Sequence, residues 1–122
     1  MASRGEIAEM AAGFERITGR SLPEGTADLT GHWERGIDTL VALYFTAPEA
    51  AAAAFASDIL GMPPKADSEA FFNRMNRTDA PAVPKDALVG RSDRTYHDWV
   101  AGIALGPMVN GRRGVWVEVI TL

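Results

Sequence analysis

The sequence predicts an α+β domain: a small antiparallel sheet of about four strands, arranged as two hairpins, packed with an N-terminal helix and two middle helices. Runs of strand-forming residues flank short turn sequences near residues 27–46 and 99–122. Segments with apolar residues at helical spacing, or rich in alanine, lie before and between them. The length of 122 residues is typical of one domain with one core, so we expect residues 1–122 to form a single globular unit.

The N-terminal helix is predicted over residues 5–18. Its apolar residues recur every three or four positions and therefore share one face of a helix: Ile7, Met10, Phe14 and Ile17. Gly19 follows the last of them and is a natural end for the helix.

The first hairpin is predicted over residues 27–46. The run TLVALYF is rich in strand-forming residues, and the sequence RGID before it suits a turn. In the first strand, His32 and Glu34 lie on one face and Trp33 lies on the other.

Two helices are predicted in the middle of the chain. Residues 48–60 begin with a proline and contain a run of alanines, and Gly61 ends them. Residues 68–77 carry an apolar stripe of Phe71, Phe72 and Met75. The next stretch, 78–90, contains two prolines and predicts a long surface loop, either functional or merely tolerated.

The C-terminal residues 114–122, GVWVEVITL, predict a strand. Its valines alternate with Trp116, Glu118 and Ile120, and Asn110-Gly111 before it has the composition of a hairpin turn. Residues 93–106 fit either a helix or a strand. A strand is favoured because an apolar run that leads into such a turn and a clear strand is a common hairpin layout.

Composition excludes several classes of function. The net charge of −4 and the scattered arginines argue against nucleic acid as a partner, and they suit a basic protein instead. The absence of cysteine excludes disulfides, thiolate catalysis and cysteine-ligated metals. No segment approaches the roughly 18 apolar residues of a membrane span.

The N-terminus MASRGEIAEM lacks the apolar core of a signal peptide, so a cytoplasmic location is the default expectation. Export is expected only if a leader has been removed. The runs TGRSLPEGTADL and GIDTLVALYFTAPEAAAAAFASDILG resemble small bacterial domains that are often exported or lipid-anchored. The resemblance covers about the first half of the chain, implies a leader in the native protein, and carries over no site residue.

The two histidines are the main candidates for chemistry. His97 is adjacent to Asp98, but neighbouring residues point apart on a strand and do not face each other on a helix, so we expect an aromatic packing cluster with a polar edge. His32 and Glu34 share a strand face. Together with His97 and Asp98 they define the alternative function, a small acid-base enzyme or small-ligand-binding domain. Its cavity would be lined by Tyr44, Tyr96 and Trp99.

No cofactor or metal is expected. The chain has no HExxH or HxH motif and only two histidines. It also lacks a P-loop, a GxGxxG motif and a GxSxG elbow, so nucleotide binding and serine catalysis have no support.

The leading hypothesis is a non-catalytic protein-interaction or binding module, such as an immunity, inhibitor or adaptor protein or the ectodomain of an anchored protein. Aromatic residues beside charge are typical of interfaces. If the valines face the helices, Trp116 is exposed beside Glu118; the equally weighted alternative is that helices or a dimer partner cover this face. The predicted docking residues are Trp116, Glu118, Ile120, His32 and Glu34. The partner would be a protein of basic character, and a homodimer through the sheet face is a further possibility.

Overall fold

The computed structural model describes residues 3–66, 72–92 and 98–121. The strands form one antiparallel sheet in the order β1-β2-β5-β4-β3, which confirms the predicted α+β class. The elements in chain order are α1 (Arg4–Thr18), β1 (Ala27–Glu34), β2 (Leu40–Pro48), α2 (Glu49–Leu60), a 3₁₀ helix (Met75–Arg77), β3 (Leu88–Arg91), β4 (Trp99–Leu105) and β5 (Arg112–Thr121).

The number of strands and helices differs from the prediction. β3 begins within the stretch 78–90, where a loop was predicted, and adds a fifth strand. The helix predicted over 68–77 lies partly outside the described residues, and its described part contains only the 3₁₀ helix. The physical reason is a competing acceptor, because the Glu118 carboxylate accepts the N–H groups of Asn73 and Arg74.

Both α-helices end where the sequence predicts. The Ser3 hydroxyl caps α1 by accepting the N–H of Glu6 at 3.2 Å. Gly19 and Gly61 adopt left-handed φ angles of 69° and 77° and each closes its helix with a backbone hydrogen bond. Within the described part of the chain, no helix is long and apolar enough to cross a membrane.

The ambiguous stretch 93–106 contains strand β4, while residues 93–97 lie outside the described residues. β4 pairs with β5 along its whole length, and this pairing decides in favour of the strand. Asn110 and Gly111 form the predicted turn with φ angles of 53° and 75°. A two-residue hairpin turn of this type requires positive φ at both positions, which asparagine and glycine adopt at low cost.

The main core lies on the face of the sheet that α1 and α2 cover, which we call the helix face. Phe14 of α1 and Phe55 of α2 meet there with ring centroids 5.8 Å apart. The predicted alternation of β5 is confirmed, and β2 alternates in the same way. Alternate residues of both strands are fully buried on this face: Val41, Leu43, Phe45, Val115, Val117 and Val119.

The opposite face of the sheet is covered by residues 72–87, which we call the covering segment. Met75 and Ala87 of this segment are buried against Ala42 and Trp116 of the sheet. The centre of the sheet is therefore buried on both sides.

Candidate functional site

Strand register brings most of the residues selected from the sequence onto the opposite face. His32 pairs with Ala42, and Ala42 pairs with Glu118. The next row along the strands contains Glu34 and Ile120, which flank Leu40. His32, Glu34, Glu118 and Ile120 therefore share one face of one sheet.

Glu118 anchors the covering segment. Its side chain is buried, and its carboxylate accepts hydrogen bonds from the N–H groups of Asn73 at 2.8 Å and Arg74 at 3.2 Å. Burial raises the pKa of Glu118, while these hydrogen bonds and the charge of Arg74 lower it in part. A cleft of about 310 Å³ beside the carboxylate is also lined by Arg91 and Ile120.

Glu34 is the centre of a charged network. Its Oε2 lies 3.0 Å from Nε2 of His32, 2.8 Å from Nε of Arg74 and 3.6 Å from Nη1 of Arg77. The hydrogen bond with His32 is the largest of the effects that lower the pKa of Glu34, and the two arginines act in the same direction. A histidine-carboxylate contact can position an imidazole for proton transfer, but here two guanidinium groups share the same oxygen.

Trp116 does not face solvent, so the exposed arrangement, one of the two expected for its face, is wrong. Trp116 is 3% exposed, its Nε1 donates to the carbonyl of Pro81 at 2.9 Å, and its ring lies 4.9 Å from that of Tyr44. Glu118 is buried as well, and Ile120 is half-buried. The reason is the covering segment, which occupies the face that the sequence left open.

The alternative catalytic set is only partly assembled. His97 lies outside the described residues, so its convergence with His32 stays a prediction. Asp98 is exposed just before β4, and β2 and β5 separate that strand from β1. Three strand spacings amount to about 14 Å, so Asp98 is not brought beside His32 or Glu34.

The cavity expected between Tyr44 and Trp99 does not form. Trp99 is buried in the core of the helix face, whereas Tyr44 packs with Trp116 on the opposite face. The third lining residue of that prediction, Tyr96, lies outside the described residues.

The two edges of the sheet differ. At the β3 edge, Lys65 and Val89 exchange two backbone hydrogen bonds of 2.9 Å, so this edge is closed at Val89. At the β1 edge, the described residues supply no further strand or bridge. An unpaired strand edge is a template for adding another strand.

The open edge is regular over only part of β1. A register shift lies between Ala27 and Thr30, and Asp28 has a φ of 57°. From Thr30 to Glu34 the strand pairs residue by residue with β2. The usable open edge therefore comprises residues 30–34.

A groove of about 390 Å³ lies along this open edge, and we call it the edge groove. Its floor belongs to β1, and its two walls belong to α1 and the covering segment. It is lined by Glu6, Met10, Gly31, His32, Trp33, Arg77 and Asp79.

Gly31 allows α1 to pack closely on this edge. A Cβ atom at Gly31 would lie 2.7 Å from Cδ2 of Leu43, 2.8 Å from the carbonyl oxygen of Ala42 and 3.1 Å from Sδ of Met10. A larger residue would displace the strand or the helix, so the glycine is required by packing.

Sequence reasoning identified His32 and Glu34 but missed the walls of the groove. Glu6, Arg77 and Asp79 lie far from β1 along the chain. No local pattern connects these three residues to the strand, because only the packing of α1 and the covering segment brings them together.

No family model, curated protein or solved structure matches this chain. Over residues 3–66, 72–92 and 98–121, no group of three or more acidic or histidine side chains could hold a metal ion. Function is therefore inferred from the geometry of the edge groove.

Proposed function

We propose that the protein is a non-catalytic interaction module that binds an extended segment of a partner protein in the edge groove. The observation that carries this proposal is the open, regular edge of β1 over residues 30–34, enclosed by a wall on each side. In strand addition, main-chain hydrogen bonds supply affinity and pockets for alternate side chains supply specificity.

Both walls of the groove are fixed by packing. Met10 is 3% exposed and holds the α1 wall against the sheet. Met75 is 7% exposed, and the Arg74–Glu34 contact of 2.8 Å ties the second wall to β1. Preformed walls favour binding because less conformational freedom is lost when the partner docks.

His32 supplies a directional contact on the groove floor. Its ring is 27% exposed, and Nε2 is engaged by Glu34. Nδ1 makes no hydrogen bond within the described residues and can bond to the backbone or a side chain of a docked segment. The groove is short, so the expected interface is of the small, transient class.

The experiment that tests this proposal is site-specific photocrosslinking in extract of the source cells. A photoreactive benzoylphenylalanine replaces His32 in one variant and Ala53, exposed on α2, in a control variant. We expect the groove variant to crosslink one partner through a short contiguous segment, and the control to leave that partner uncrosslinked.

Circular dichroism and thermal unfolding of both variants establish that they are folded. Two outcomes would contradict the docking proposal. One is the same set of products from both positions, and the other is a folded groove variant that gives no specific product.

A further inference from the structure

We infer that the segment bound in the edge groove is basic and carries cationic side chains at two adjacent positions. This inference rests on the proposed docking function and adds the chemistry of the partner. Its basis is a pair of carboxylates, Glu6 and Asp79, placed on the two opposite walls of the groove.

Two carboxylates on the walls of the groove have no ion-pair partner among the described residues. Glu6 and Asp79 are exposed, and neither has a cationic group within 4.0 Å among the described residues. Arg77 is held by Glu34 at 3.6 Å, and Arg74 contacts the same carboxylate at 2.8 Å. Arg35 lies over the ring of Trp33 at 4.2 Å from its centroid, so three guanidinium groups match the three carboxylates in number. Attraction of a cationic partner therefore rests on the two carboxylates without an ion pair and on the net charge of −4.

The two walls fix the spacing of the cationic residues. Glu6 belongs to α1 on the helix face, and Asp79 belongs to the covering segment on the opposite face. Successive residues of a strand point to opposite faces. Two adjacent side chains of a strand added along β1 therefore reach both carboxylates. Two side chains that are two positions apart in that strand point to the same wall and reach only one carboxylate.

A second copy of this chain fits the groove less well than a basic partner. β1 has the sequence ADLTGHWE, which contains Asp28 and Glu34 and no lysine or arginine. Pairing of two β1 strands would bring these acidic residues towards grooves that already carry Glu6 and Asp79. Like charges placed together oppose such a dimer.

The test uses two peptides of identical composition, acetyl-TVKRVT-amide and acetyl-TKVRVT-amide. They are titrated into the isotopically labelled protein while its backbone amides are followed by NMR. We expect shifts at residues 30–34 and an affinity up to about fivefold higher for the adjacent-charge peptide, since the two peptides differ by one exposed ion pair.

Charge-reversal variants complete the test. Glu6→Lys and Asp79→Lys should each weaken binding of acetyl-TVKRVT-amide about fivefold to tenfold. Glu24→Lys makes the same charge change at an exposed position that does not line the groove, and should have a much smaller effect.

The outcomes separate the two proposals. Equal affinity for both peptides, or unchanged binding by both groove variants, would overturn the basic-segment inference while edge docking stands. Shifts at residues 30–34 that grow with protein concentration alone would identify a second copy as the occupant and overturn it as well. Peptide shifts that avoid residues 30–34 altogether would overturn docking at the edge itself.

Discussion

The pKa values of Glu118 and Glu34 are shifted in opposite directions, although Arg74 contacts both carboxylates. Burial raises the pKa of Glu118 above 4.5, so the folded protein binds this proton more readily than the unfolded chain does. The hydrogen bond with His32, helped by Arg74 and Arg77, lowers the pKa of Glu34 below 4.5. The stabilisation that depends on ionised Glu34 is complete above pH 4.5 and is lost as the pH falls through the lowered pKa.

These two shifts predict separate pH windows for two variants. The contribution of Glu118 to the free energy of unfolding should rise as the pH falls through its raised pKa towards 4.5, and Glu118→Gln should remove this rise. Glu34→Gln should change the pH profile of stability below pH 4.5, because the variant lacks the carboxylate whose protonation destabilises the wild type there. Urea denaturation of the wild type and both variants across this range measures the effect. An unchanged pH profile for Glu118→Gln above pH 4.5 would contradict the assignment.

For single residues, the sequence predicts which face of the sheet a side chain occupies better than it predicts whether that side chain is buried. It places Trp116 and Glu118 on the face away from the core valines, and the structure agrees. It leaves open whether this face is exposed or covered, because the residues that bury Trp116 and Glu118 belong to a proline-containing stretch without periodicity. Burial of a strand face depends on which distant segment covers it.

The covering segment forms the second wall of the edge groove. Met75 is a large buried apolar side chain of this segment, at 7% exposure, while Asn76 beside it is exposed. Because the cavity left by a truncated buried methionine is costly, Met75→Ala should lower the free energy of unfolding by about 2–3 kcal/mol. Asn76→Ala should change it by less than about 0.5 kcal/mol.

Met75→Ala should also loosen the covering segment locally. Hydrogen exchange at the amides of Asn73 and Arg74, which donate to Glu118, should accelerate in Met75→Ala more than at amides of β5. A loss of stability below about 0.5 kcal/mol together with unchanged exchange at these amides would show that the segment is held by other contacts.

Elements with strong local signals are predicted correctly. α1, α2, β2 and β5 follow from periodicity, capping glycines and turn residues, which act within a few positions along the chain. The predictions for β3 and for the described part of the segment 68–77 are wrong. Their conformations depend on Lys65 and Glu118, which are partners distant in sequence, so local propensity is overridden.

For the whole molecule, the proposed function rests on an asymmetry between the two edges of the sheet. Lys65 closes the β3 edge at Val89, whereas no strand of the described part of the chain pairs with the outer edge of residues 30–34, which lie between two walls that carry acidic residues. The sequence indicates an acidic protein without catalytic motifs, and it selects His32 and Glu34. It does not reveal the groove, because the groove exists only when α1 and the covering segment reach the two sides of β1.

The most direct measurement of the central claim is amide hydrogen exchange of β1 with and without the partner recovered by crosslinking, or with acetyl-TVKRVT-amide at saturation. Docking along the edge predicts slower exchange for amides within residues 30–34, and no change at Val89 on the closed edge. Protection that appears elsewhere in the chain, while exchange at residues 30–34 stays the same, would contradict the assignment of the edge groove as the binding site.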